Sequence, residues 1–174
     1  RHMTTNQDWL TPEAKAVIAN AEAMIPKLRE RALAADDAGQ VPKETIAEMQ
    51  AGGLFRVLQE KKWGGYEMDP RVFAEVQMAL ARGCMSTAWI YGVVAVHPWQ
   101  MAFFSEQAQN EVWGEDNSTL ISSSYMPTAQ VTPVDGGFKI TGRWSFNSGG
   151  DHCKWALLGS VMPNGSGGYE HVTL

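Results

Sequence analysis

Three polar clusters stand where the surrounding sequence is apolar. His97 follows the run from Thr87 to Val96, Ser122-Ser123-Ser124 interrupts a segment patterned like a half-buried strand, and Asn147-Ser148-Gly149-Gly150-Asp151-His152 follows Trp144 and Phe146. A buried polar group is costly unless it is hydrogen-bonded, so each cluster needs a partner, and a ligand is one candidate. The residue types suit proton handling and the recognition of oxygen. An imidazole accepts or shares a proton near neutral pH, and a serine hydroxyl donates a hydrogen bond to an oxygen.

Each cluster also has a plain structural reading. His97 can end a helix with its ring satisfied by a backbone carbonyl, the serines can pair with neighbouring backbone, and Asn-Ser-Gly-Gly-Asp is ordinary loop composition. Several site types are excluded outright. The chain has no GxGxxG, no GxxxxGK[ST] and no GxSxG, so dinucleotide, phosphate-loop and serine-hydrolase signatures are missing. The histidines, at 2, 97, 152 and 171, lack the close spacing of a zinc site, and no metal is predicted.

The elements that must position these clusters change period once along the chain. Thr11 caps a predicted helix that starts with Pro12 and runs into the thirties, with Ala14, Val17, Ile18, Ala21, Ile25, Leu28 and Ala32 on one face. Pro26 lies inside it and is expected to kink it or divide it in two. A second helix is predicted from Pro42 to Gly52-Gly53, and a third, capped by Asp69, from Pro70 to about Arg82. The fourth begins after Ser86, is apolar nearly all round and should be buried on all sides. His97-Pro98 breaks it, and a helix from Glu106 to Trp113 closes the series. After Gly114 strands are predicted at Thr119–Ser124, Gln130–Val134, Phe138–Thr141, Trp155–Met162 and Tyr169–Leu174, with a tight hairpin at Val134-Asp135-Gly136-Gly137-Phe138. The last strand has nothing after it to pair or cover it, so the chain is expected to stop inside a β domain. The class is α+β, with a helical domain at 4–116 and part of a β domain at 117–174.

Composition narrows the field further. Over 174 residues, 44% are hydrophobic and 19% charged, as in ordinary globular proteins. A net charge of -5, with Lys61-Lys62 the longest basic cluster, argues against nucleic acid as a partner. The apolar stretch from Ala88 to Phe104 is interrupted by His97, Pro98 and Gln100, which argues against a membrane span. Cys84 and Cys153 are far apart and outside any CxxC pair. Without a recognisable signal peptide, that usage predicts a cytoplasmic protein. Arg1-His2-Met3 reads as a cloning remnant ahead of a native start.

Read in order, the segments KKWGGYEMD (61 to 69), CMSTAWIYGVVAVHPWQMAFF (84 to 104), VWGED (112 to 116), ISSSYMP (121 to 127) and VDGGFKITGRWSFNSGGDHCKWALLG (134 to 159) resemble the oxygenase components of two-component flavin-dependent monooxygenases built on the acyl-CoA dehydrogenase fold. Hydroxylases of p-hydroxyphenylacetate and of a phenolic secosteroid are the members most like it. The GG-x-E and DGG elements identify only the fold; ISSS, the histidine after an apolar helix and NSGGDH are more specific. The resemblance implies an N-terminal helical domain, a middle β-barrel and a C-terminal helical bundle, assembled as a homotetramer. This chain would cover the first domain and part of the second, and would be inactive alone.

The same resemblance implies reduced flavin (FMNH2 or FADH2) and O2 as cofactors, a separate NAD(P)H flavin reductase as partner and a small aromatic substrate. Ser148 resembles the serine that approaches flavin N5 and protects the C4a-hydroperoxide. His97 resembles the histidine that meets the substrate phenol, and Ser123 its partner at the same hydroxyl. Ser122, Ser124, Phe146 and Asn147 fall against the flavin, although Asn147 stands where the family has a serine. The chemistry is coherent, because an electron-rich phenolate is what an electrophilic peroxide oxidises, and an imidazole with an ordinary pKa of about 6.5 can take the phenol proton. An acyl-CoA dehydrogenase would share the fold, but its Thr-Glu-Pro segment is replaced here by Ser-Ser-Ser-Tyr-Met-Pro. A non-catalytic helical assembly module is the alternative from another class.

Overall fold

A computed structural model describes residues 8–174, which divide into a helical unit ending at Thr119 and a β unit spanning Leu120–Leu174. The helical unit is built on α1 (Pro12–Ala38). Thr11 caps it, its Oγ1 accepting from the Ala14 amide at 3.1 Å, and the buried face runs through Ala14, Val17, Ala21, Met24, Ile25 and Leu28. Contrary to expectation, Pro26 does not divide this helix. Pro26 is exposed, so the carbonyl deprived of a donor one turn earlier faces water, which can satisfy it. The helix stops at Gly39, whose φ of 65° lets the Gly39 and Gln40 amides close back on Asp36 and Ala35.

Helix α2 (Lys43–Ala51) ends at Gly52, as expected. Helix α3 (Pro70–Ala81) is capped by Asp69, which accepts from the Arg71 amide at 2.9 Å and is paired with its guanidinium at 2.7 Å. It packs against α1 and against α4 (Met85–Ala95). Helix α4 differs from its predicted environment. Thr87, Ala88, Tyr91, Val94 and Ala95 are buried, but Met85 and Trp89 are exposed, Trp89 at 60%. Apolar composition sets the gain from burial, not the number of neighbours; α3, the Leu54–Arg56 turn and α5 are the elements packed on α4, and they leave Met85 and Trp89 exposed. A short helix the sequence did not announce, α5 (His97–Met101), follows after Val96, and α6 (Glu106–Trp113) is capped by Ser105. Among the described residues no helix is long and apolar enough to cross a membrane.

The β unit is one mixed sheet in the order β2-β1-β3-β4, formed by β1 (Ile121–Val134), β2 (Gly137–Thr141), β3 (Trp155–Pro163) and β4 (Tyr169–Thr173). The two strands expected at Thr119–Ser124 and Gln130–Val134 are a single strand, β1, parallel to β3 on both sides of an irregularity between Ser124 and Ala129. Pro127 and its neighbours therefore bulge out without turning the chain. Gly159 faces this bulge so closely that a Cβ there would fall inside the Tyr125 carbonyl. The β1–β2 hairpin closes through Asp135-Gly136, with Gly136 at φ 76°. The last strand, β4, is antiparallel to β3, from Gly159↔Thr173 to Pro163↔Tyr169, and forms an edge of the sheet. The four strands form an open sheet and do not close into a barrel by themselves.

Candidate functional site

His97 opens α5 in the helical unit and is 1% exposed. The junction that places it there is a helix break. Val96 separates the apolar α4 from a proline-containing turn, and the imidazole is carried into the interior instead of toward water. Its ring hydrogen-bonds with Gln100, but loss of hydration dominates and holds its pKa down at about 4. The sequence alone gave His97 an ordinary value near 6.5; in the folded unit it is neutral at pH 7.

One buried polar residue of the same unit escaped the sequence reading. Tyr91, fully buried on α4, stacks on Phe73 with ring centroids 5.2 Å apart and lies 6.0 Å from Phe55. Its hydroxyl is buried without a hydrogen-bond partner among the described residues, and desolvation raises its pKa well above the usual tyrosine value. Tyrosine inside an aromatic, apolar helix reads as core, so nothing in the sequence flagged it.

In the β unit, the three serines of β1 have three different surroundings. Ser122 and Ser124 are buried, whereas Ser123 points to the opposite face and is half-buried. The Ser122 hydroxyl donates to the Trp155 carbonyl at 3.3 Å and also meets Cys153, whose thiol burial pushes up to about 11. The Ser124 hydroxyl donates to the Ser145 carbonyl at 2.6 Å. Ser123 has no such internal partner among the described residues.

The Trp144–Gly149 segment is irregular backbone held by side chains and leads into a single 3-10 turn at Gly150–His152. Thr128 donates to the Arg143 carbonyl at 3.1 Å, and the Trp144 indole donates to the Gly159 carbonyl at 2.9 Å. Phe146 then takes a left-handed φ of 58° and is 87% exposed. Asn147 is exposed and Ser148 half-buried. The Asn147 carbonyl accepts from the Gly150 amide at 3.1 Å, and Gly149 has φ 79°. A Cβ on Gly150 would press on the end of the exposed Asn147 side chain, which would have to shift. Neutral hydroxyls and main-chain groups beside an exposed aromatic ring fit the edge of an isoalloxazine better than a phosphate, which calls for cations. Among the described residues no group of three His, Cys, Asp or Glu is placed to hold a metal ion.

Comparison with known proteins identifies the family. Residues 11–116 match the family model for the acyl-CoA dehydrogenase, N-terminal domain. The flavin-dependent monooxygenase, oxygenase subunit HsaA, of Mycobacterium tuberculosis is 43% identical over 150 residues, 86% of this chain and 38% of that protein. The oxygenase component of the FADH2-dependent resorcinol hydroxylase of a Rhizobium species is 32% identical over 135 residues, 78% of this chain and 33% of that protein. The crystal structure of 3-HSA hydroxylase from Rhodococcus sp. RHA1 matches with a TM-score of 0.87 at 39% identity, covering 91% of this chain and 41% of that one. The chain thus spans between a third and two fifths of the curated relatives it matches. From the match over residues 11–116 and these identities, the chain belongs to the acyl-CoA dehydrogenase family and is a homologue of the oxygenase components of flavin-dependent hydroxylases.

Proposed function

We propose that the protein is the oxygenase component of a two-component monooxygenase that uses reduced flavin, FMNH2 or FADH2, and O2 to hydroxylate a phenolic or related aromatic substrate. The observation that carries this reading is the 43% identity to an oxygenase subunit across 86% of the chain, which takes in both units and all the candidate residues. The flavin supplies the two electrons that let one atom of O2 enter the aromatic ring while the other leaves as water. A separate NAD(P)H flavin reductase delivers it reduced, since the sequence carries no nicotinamide motif. The working protein is a cytoplasmic homotetramer.

The chain's own residues then have defined tasks. His97, neutral at pH 7 because burial holds its pKa near 4, accepts the hydrogen bond of a phenolic O–H. Full proton transfer to so weak a base becomes favourable only as negative charge grows on the phenolic oxygen, because an anion beside the ring raises the imidazole pKa. Ser123, whose hydroxyl is not consumed inside the sheet, donates to the substrate oxygen. Ser148 presents its hydroxyl to the flavin N5 edge, flanked by Phe146 and Asn147. Incubating the full protein with a flavin reductase, NADH and a panel of phenols tests the reading. Oxygen-dependent ring hydroxylation is expected. Oxidation of acyl-CoA thioesters without hydroxylation, or failure to bind reduced flavin, refutes it.

A further inference from the structure

We propose that Ser124 is a positioning residue, acting through the backbone from Ser145 to Ser148 and not by touching the flavin; this rests on the function proposed above. A hydroxyl has one proton to give, and Ser124 gives it to the Ser145 carbonyl at 2.6 Å from a buried position on β1. The location of that bond matters. The β1–β2 ladder ends at Gln130↔Thr141, so the following segment has no regular backbone pairing to fix it. Side chains take over: Thr128 holds the Arg143 carbonyl, the Trp144 indole reaches the Gly159 carbonyl, and Ser124 holds the Ser145 carbonyl.

Ser124 is the last of these ties before the turn. The peptide plane it fixes leads into Phe146, whose φ of 58° lies in a region that side chains with a Cβ rarely adopt. Such a residue keeps this conformation only when its neighbours over-determine it. Released from Ser124, the Ser145 carbonyl can turn toward water, and its rotation carries the Phe146 peptide with it. The turn that presents Ser148 two residues later then loses its fixed entry. Ser160 offers a contrast on the same sheet. It is fully buried on β3, aligned with Ala129, yet its hydroxyl has no hydrogen-bond partner among the described residues, so its removal disturbs no such tie.

The test uses the full protein carrying Ser124→Ala, Ser124→Thr, Ser124→Cys or Ser160→Ala. The first measurement, made without flavin, is hydrogen exchange of the bonded amides of the turn that follows, those of Gly150, His152 and Cys153. The second, with reductase and substrate, is the share of reducing equivalents released as hydrogen peroxide. Ser124→Ala should speed exchange at these amides roughly tenfold, as loss of one hydrogen bond implies, and should raise peroxide release several-fold. Ser124→Thr, which keeps the hydroxyl, should restore both. Ser124→Cys preserves the packing with a weak donor and should fall between, which keeps the test open if the alanine variant folds poorly. Ser160→Ala should change neither measurement. Unchanged exchange at these amides in both Ser124→Ala and Ser124→Cys overturns the positioning role. Faster exchange with unchanged peroxide release keeps Ser124 as the tie but removes Ser148 from the flavin, which would fault the proposed site.

Discussion

Burial of His97 has a consequence for stability that can be measured without substrate or flavin. The folded chain holds this imidazole near pKa 4, against 6.5 for a free one. As pH falls below about 6.5 the unfolded chain takes up a proton that the folded chain refuses, so folding loses free energy until the folded pKa is reached. The loss therefore lies between pH 6.5 and 4, and stability is fully retained above that window. At roughly 1.4 kcal/mol per tenfold change in proton affinity, the interval corresponds to about 3 kcal/mol. Urea unfolding at several pH values, in the chain and in His97→Gln, isolates this contribution, because the other titrating groups are common to both. The stability difference between the two proteins should shift by about 3 kcal/mol in favour of the glutamine variant from pH 7 to pH 4. With an ordinary urea dependence that is a midpoint change of roughly 1 to 2 M. A His97 ring resonance titrating near 6.5, or a difference independent of pH, would refute the argument that the imidazole is buried neutral.

His97→Ala should slow hydroxylation, with partial recovery above the pKa of the substrate phenol, where the proton is already gone; absence of recovery in steady-state assays would separate His97 from that proton. Ser148→Ala should shift the outcome from hydroxylated product to hydrogen peroxide by about tenfold, the worth of one hydrogen bond to a polarised group, and unchanged coupling would remove Ser148 from the flavin edge. Gly159→Ala should destabilise the β unit by about 2 kcal/mol or more, because a Cβ there falls inside the Tyr125 carbonyl; thermal unfolding of the variant checks this, and a neutral result would mean the bulge relaxes freely.

What the sequence disclosed depended on whether local chemistry or distant neighbours decided the outcome. Thr11-Pro12 and Asp69-Pro70 set their helix starts through bonds spanning two or three residues, and the Asp135-Gly136 turn closes within four, so all three were legible. Pro26 does not divide α1, because the cost of an interior proline depends on whether its orphaned carbonyl faces water, a property of the packed helix. The long β1 strand was read as two because Pro127 is a strand-breaking residue by local rules. Gly159, more than thirty positions away in sequence, is what leaves room for the bulge. The exposure of Trp89 on α4 was likewise invisible, since composition does not reveal which faces find partners.

The serine run makes the same point within three consecutive residues. Strand alternation places Ser122 and Ser124 on one face and Ser123 on the other, and that much follows from the sequence alone. Which hydroxyl remains available does not. Ser122 is committed to the Trp155 carbonyl and Ser124 to the Ser145 carbonyl, partners twenty or more residues away. Ser123, on the opposite face, has no such internal partner among the described residues. Identical side chains thus divide into two committed inside the scaffold and one that is not, and the division is made by where the later segments return to β1. A resemblance between motifs carries residue types to their positions; only the hydrogen-bond accounting of the folded chain tells which of those residues still has a proton to offer.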